Sequence, residues 1–352
     1  MKKNHITFSD SILTTIKEAM ISDKSLCCIG LGVNDPLGIF GTTKDLKKIN
    51  NLKDRIIEPP TSENCITGVS IGMAIDGLKV IITHQRVDFS LYAMDQIINS
   101  AAKWYYMFNG QASVNITIRM IIGKGWGQGP THSQSLHSLF AQIPGLKVVV
   151  PSSPRNVKGL LNASINDPNP VIFLEHRWLY QMYEKVPNIH YRTSFQSKIV
   201  KKGTDITVVT FSYMVFELLK ISKFLDSRHS INIELIDLCC LSPNNYSNII
   251  KSFYKTKRAL LIDIGHSKCS IMKDLAFHLN NKKFISSQID ILAMPDCPVP
   301  SSHHIAKYLY HDSQEIINKI LKILKNKKKI KVPKNFLNRN NDIPGNWYKG
   351  PF

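Results

Sequence analysis

No apolar run in this 352-residue chain approaches the roughly 20 residues that a helix needs to cross a bilayer, so no membrane-spanning role is expected. Acidic residues are scarce: 26 Asp and Glu stand against 45 Lys and Arg, a formal charge of +19. Such a balance raises nucleic acid or an anionic membrane as a partner. The lysines are spread widely, however, with one dense run over 325–334, and no nucleic-acid fold signature accompanies them. Neither partner is expected. The seven cysteines are odd in number and lack metal-type spacing, and two adjacent pairs, Cys27-Cys28 and Cys239-Cys240, sit in apolar, strand-like runs. Buried, reduced thiols in a reducing, cytoplasmic compartment are the expectation, and the amino-terminal residues lack the apolar core of a secretory signal. Phosphate fingerprints are missing as well. The stretch 123–130, Gly-Lys-Gly-Trp-Gly-Gln-Gly-Pro, has neither the spacing and terminal Lys-Ser/Thr of a P-loop nor the dinucleotide pattern. It reads as a flexible loop laid over a ligand.

What is present is an alternation of short β-branched runs with helical patterns. Strands are expected over 26–33, 78–85, 115–122, 146–151 and 170–175, and helices over 9–20, 91–105 and 154–165. That order calls for a parallel sheet covered on both faces. The polar stretch 186–203 interrupts it, and a second alternating set follows, with strands near 206–211, 233–238, 259–264 and 289–294. The expected class is therefore α/β with two doubly wound domains: 1–190, a linker at 191–204, 205–326, and a basic extended tail over 327–352.

The stretch 59–74 organises the first domain. Pro59 and Pro60 hold the approach extended and forbid helix there. Thr61 and Ser62 are capping residues, so a helix should begin within a residue or two of Glu63. Gly68, Gly72 and Ala74 keep one of its faces thin. In most proteins a glutamate so placed is a solvated partner of the helix dipole. Two other segments change its context. His84-Gln85-Arg86-Val87-Asp88-Phe89 is polar where a buried strand ends, which is where open α/β sheets gather ligands; an Arg86–Asp88 surface pair is the structural alternative. His132 follows the glycine loop at the start of a helical pattern, where it can exchange a proton with a covered ligand or simply bond within its own cap. His303-His304 has no acidic or cysteine partners at ligand spacing, and no metal site is expected there.

These segments resemble the β subunit of the thiamine diphosphate-dependent 2-oxo acid dehydrogenases, the E1 components of the pyruvate and branched-chain type within the transketolase-like superfamily. The similarity continues through Asp95-Gln96-Ile97-Ile98-Asn99-Ser100-Ala101-Ala102-Lys103, His132-Ser133-Gln134-Ser135, Pro144-Gly145-Leu146-Lys147-Val148-Val149 and Asn169-Pro170-Val171-Ile172-Phe173-Leu174-Glu175. It runs more weakly through Ile236-Asp237-Leu238 and Pro298-Val299-Pro300.

The resemblance implies a pyrimidine-binding domain followed by a transketolase C-terminal domain. It implies that Glu63 hydrogen-bonds N1′ of the cofactor's aminopyrimidine, favouring the imino tautomer whose nitrogen deprotonates the thiazolium. Phe89 would pack against the pyrimidine with Gln85 beside it, and His132 would assist later steps, including acyl transfer to a lipoyl group. Ile116, Asp167 and Asn169 fall where some members hold a structural potassium ion, largely through backbone oxygens. Two departures stand out: Gly30-Leu31 replaces the common Gly-Glu, removing a carboxylate, and His84-Gln85-Arg86 replaces commoner apolar or acidic residues. Arg86 is a candidate for a substrate carboxylate. The Gly-Asp-Gly segment and following Asn that hold the diphosphate's Mg2+ are absent from this chain, which implies that an E1 α subunit in an α2β2 assembly supplies them. The implied activity is oxidative decarboxylation of a 2-oxo acid with transfer to the lipoyl domain of an E2 acyltransferase. A transketolase-like enzyme half with another acceptor, or a non-catalytic assembly partner of an α subunit, are the alternatives.

Overall fold

Leu26–Gly30 is buried at every position and forms β1 of the computed structural model, which describes residues 5–123, 127–187, 189, 191–280, 288–333, 336 and 348. A strand apolar on both faces belongs inside a parallel sheet. The molecule divides into two compact units, one of Met1–Gly123 with Leu139–Phe195, the other of Lys124–Ser138 with Gln196–Gly350. Part of the glycine loop (124–126) and most of the tail beyond 333 lie outside the described residues.

In the first unit β1 is joined by β2 (Ile56–Ile57), β3 (Lys79–His84), β4 (Ile116–Ile122), β5 (Lys147–Val149) and β6 (Val171–His176), in the order β5-β6-β4-β3-β1-β2. Every one of these pairings is parallel. Helix α1 (Phe8–Ser22) opens on a reciprocal Thr7/Asp10 capping box and buries Ile12, Ile16, Ala19 and Met20. It meets α4 (Pro154–Ile165), where the Ser11 hydroxyl donates to the Pro154 carbonyl at 2.7 Å. Between them lie α2 (Glu63–Ile75) and α3 (Ala102–Met107). The single amphipathic helix expected over 91–105 is instead three consecutive geometries: a 3₁₀ turn at Phe89–Ala93, a π-helical turn at Gln96–Ala101, then α3. Such π turns insert a residue without losing the buried stripe, here Ala93, Ile97, Ala101 and Ala102.

A buried polar group links β4 and β6. Arg119 on β4 donates through Nε and Nη2 to the two oxygens of Glu175 on β6, at 2.6 and 2.9 Å, and the Tyr180 hydroxyl adds a 2.8 Å bond to the same carboxylate. Both side chains of the pair are inaccessible to solvent to within 1%. The bidentate fork is the geometry that lets a buried pair offset its desolvation.

The second unit holds β7 (Lys198–Lys201), β8 (Ile206–Thr210), β9 (Ile233–Asp237), β10 (Arg258–His266) and β11 (Gln288–Met294), in the order β11-β10-β8-β9-β7. Only β7 runs antiparallel to its neighbour. The segment expected as linker, 191–204, therefore contains an edge strand. Helices α5 (Tyr213–His229), α6 (Ser247–Thr256), α7 (Ile271–Asn280) and α8 (Ser313–Ile323) accompany the sheet. Beyond α8 the basic segment doubles back along it. The Gln314 side-chain amide donates to Ile330 O and accepts from Val332 N, both at 2.9 Å, and Ile330 is buried.

Candidate functional site

Glu63 is the first residue of α2, and its side chain is half-buried. Ser62 occupies the cap position but makes no side-chain capping bond, so the expectation of a Ser/Thr cap holds for position and not for bonding. The half-buried carboxylate thus lies in the first turn, on the favourable end of the helix dipole.

What fixes this turn is a chain of hydrogen bonds to the end of β3. The Thr67 hydroxyl donates to the Glu63 carbonyl at 2.7 Å, and the same oxygen lies 3.2 Å from His84 Nε2. A hydroxyl has one proton to give. With that proton on the Glu63 carbonyl, Thr67 Oγ1 accepts from His84, which places the imidazole proton on Nε2. Burial pushes His84 down to about 4, so the ring is neutral at ordinary pH. The 3₁₀ turn that begins at Phe89 also packs on α2. Phe89 and Arg86 are half-buried, while Asp88 is buried.

Gln85 continues β3 into the space above Gly32. A Cβ at Gly32, whose φ is +80°, would sit 2.8 Å from Gln85 Nε2 and 3.1 Å from an Asp35 carboxylate oxygen, so glycine is needed there for both reasons. Glu58, just ahead of the two prolines, accepts from the Gly32 N–H at 2.6 Å and from the Asn34 N–H at 2.7 Å. Where the resemblance implies a carboxylate this chain has Leu31, and the fold brings Glu58 to the exit of β1. Sequence reasoning missed Glu58, Thr67 and the role of His84, although the position of Glu58 directly before Pro59 was a usable signal.

Ile116 is buried at the start of β4, next to the Val80 register position. Both Asp167 oxygens accept from the Lys147 ammonium, at 2.6 and 2.5 Å, and Oδ1 also accepts from the Asn169 N–H at 3.0 Å. An ammonium therefore already neutralises this carboxylate. No group of three or more metal-ligating His, Cys, Asp or Glu side chains occurs among the described residues. Cys27, Cys28, Cys239 and Cys240 are buried free thiols, and burial pushes Cys28 up to about 11.

His132 belongs to the second unit. Its Nδ1 lies 3.0 Å from the Thr131 hydroxyl, and the side chain is half-buried. Five residues on, His137 is buried against β10. Its Nε2 lies 2.8 Å from Asp263 Oδ1, and its ring meets Phe211 edge-on with centroids 4.9 Å apart. Asp263 also accepts from the Gly265 N–H at 2.8 Å and from the Ser270 hydroxyl at 2.5 Å. Burial would raise the Asp263 carboxyl, but the His137 ring and these hydrogen bonds outweigh it and hold it below its ordinary value. The expected site residues thus fall in two sets, Glu63, Gln85, Arg86 and Phe89 in the first unit and His132 in the second.

Two family models match the chain: the transketolase pyrimidine-binding domain over residues 4–182 and the transketolase C-terminal domain over 196–316. A relative from Bacillus subtilis, "Acetoin:2,6-dichlorophenolindophenol oxidoreductase subunit beta", is 35% identical over 91% of this chain and 97% of its own. "Pyruvate dehydrogenase E1 component subunit beta" from Porphyra purpurea is 33% identical, again over 91% and 97%. Among solved structures, "Split gene transketolase, inactive beta4 tetramer" superposes with a TM-score of 0.74 at 16% identity, over 92% of this chain and 100% of that one. At that identity the superposition speaks for the fold alone.

Proposed function

We propose that this chain, which belongs to the family that joins a transketolase pyrimidine-binding domain to a transketolase C-terminal domain, is the β subunit of a thiamine diphosphate-dependent 2-oxo acid dehydrogenase. The observation that carries this is the position of Glu63: first residue of α2, half-buried, and tied to the ligand-gathering end of β3 through Thr67 and His84. The residues fit the pyrimidine half of the cofactor. A half-buried carboxylate faces the need to share a proton with a ring nitrogen, a half-buried aromatic, Phe89, offers a flat apolar wall, and Gln85 offers an amide. When bound, the thiazolium supplies the carbanion chemistry. Glu63 holds and returns a proton at the pyrimidine nitrogen. Gln85 and Phe89 orient the ring. His132 carries a proton for the later acyl-transfer step to a lipoyl group, and Arg86 is a candidate for the substrate carboxylate.

The diphosphate and its Mg2+ belong to an E1 α subunit in an α2β2 assembly, because this chain lacks the Gly-Asp-Gly segment. Lipoyl transfer to an E2 acyltransferase completes the reading, and the free thiols favour a cytoplasmic location. A structural potassium ion at Ile116, Asp167 and Asn169 would be held by backbone oxygens, since the Lys147 ammonium engages the Asp167 carboxylate.

The test is co-expression with the candidate α subunit, followed by thiamine diphosphate binding and 2-oxo acid-dependent dye reduction. Cofactor binding to the complex and to neither chain alone is the expected result; a complex that binds no cofactor overturns the reading. A second donor, a 2-hydroxy ketone such as acetoin, deserves the same assay. Its motive is similarity: a Cupriavidus necator relative named for acetoin is 37% identical over 75% of this chain. Product analysis with pyruvate and with acetoin separates the two.

A further inference from the structure

His132 sits on a segment whose two ends are both held by the second unit. At the leading end, Gly129 has φ +72°, and a Cβ there would lie 2.6 Å from the Ser301 hydroxyl oxygen. Backbone and Ser301 are thus in close approach, with glycine required on both counts. At the trailing end stands His137, of which 1% is exposed, bonded to Asp263, of which 2% is exposed. A Cβ at Gly265 would strike His137 Cε1 at 2.7 Å and the Ser135 carbonyl at 3.2 Å, so β10 is shaped to receive this segment. The strand departs from its regular register with β11 between Ile262 and His266, around Asp263 and Gly265. From these observations we propose that His137 is a positioning residue for His132: its bond to Asp263 anchors the segment 129–137 and fixes where the His132 imidazole can reach.

The chemistry of the anchor makes it durable. An ionised carboxylate accepts and never donates, so the proton in the 2.8 Å contact sits on His137 Nε2 whatever the charge of the ring. Asp263 is fully engaged by His137, Gly265 and Ser270. Among the described residues His137 Nδ1 has no hydrogen-bond partner, so Nε2 carries the whole polar attachment. Apolar contact with Phe211 alone would place an imidazole no better than a leucine, since dispersion has no direction; the bond to Asp263 sets rotation and depth together. The inference rests on the proposed role of His132 in acyl transfer.

The experiment uses the full chain co-purified with its α partner, as wild type, His137→Leu, His137→Gln and Asp263→Leu. Amide hydrogen exchange is read by mass spectrometry over peptides covering 127–136. At least tenfold faster exchange there in His137→Leu, with the remainder of the second unit unchanged, is expected. His137→Gln retains a donor that can reach Asp263 and should restore at least half of the protection. Asp263→Leu removes the acceptor itself and covers the case in which His137→Leu does not fold; it should behave as His137→Leu does. The paired functional readout is acylation of a lipoyl acceptor against dye reduction with the same substrate. The former should fall at least tenfold and the latter less than twofold. Unchanged exchange over 127–136, or faster exchange throughout the second unit, overturns the proposal. An inactive wild-type complex overturns the functional reading instead, and the exchange data still decide whether His137 anchors the segment.

Discussion

Replacing His84 by phenylalanine should make the protein less sensitive to mild acid. His84 is 3% exposed, and burial lowers it from an ordinary 6.5 to about 4. Between those values the unfolded chain takes up a proton that the folded chain refuses, so stability is lost as pH falls from 6.5 towards 4 and levels off below. At about 1.4 kcal/mol for each pH unit, the full loss is about 3 kcal/mol. Phenylalanine fills similar space and does not titrate. At pH 7 the variant loses the bond from Nε2 to Thr67, about 1 kcal/mol. Urea unfolding at pH 7, 5.5 and 4.5, followed by circular dichroism, measures both terms. Wild type should start ahead by about 1 kcal/mol and fall behind by pH 4.5. Parallel pH profiles for the two proteins would refute the neutral, donor assignment of His84, and with it the tie from β3 to the Glu63 turn.

Two further outcomes follow from buried and half-buried charge. Glu175→Gln leaves Arg119 without its carboxylate in a site closed to water, a loss of about 3–5 kcal/mol, equal to a fall in Tm on the order of 10 °C; differential scanning calorimetry checks it, and the double variant with Arg119→Met should recover part of the loss. Replacing Na+ by K+ at constant ionic strength should raise Tm by about 2 °C or more through backbone oxygens at Ile116, Asp167 and Asn169, the Asp167 side chain being already held by the Lys147 ammonium. An unchanged Tm in K+ would remove the potassium site from Ile116, Asp167 and Asn169.

The strands were legible because parallel strands buried on both faces read as apolar runs, as Leu26–Gly30 does throughout and Val171–His176 does up to Leu174. The start of α2 was legible because two prolines forbid helix and small residues follow. Edge strand Lys198–Lys201 was not: half-exposed and flanked by lysines, it needs no apolar run. The two-residue strand Ile56–Ile57 is shorter than any pattern that could announce it. Partnerships were the larger gap. Glu58 meets Gly32 across 26 residues and His137 meets Asp263 across 126, and such pairs depend on strand order, which periodicity does not encode. The glutamate and histidine themselves were visible in the sequence; what holds each in place was visible only in the fold.

Glu63 is proposed to exchange a proton with the cofactor's pyrimidine. Glu63→Gln in the co-expressed complex tests it most directly, through 2-oxo acid-dependent dye reduction beside thiamine diphosphate binding and assembly. The amide keeps the size of the side chain and removes its ability to hold a proton, so activity should fall at least a hundredfold while assembly is retained. Equal activity in both proteins would make Glu63 a helix-start residue and contradict the account.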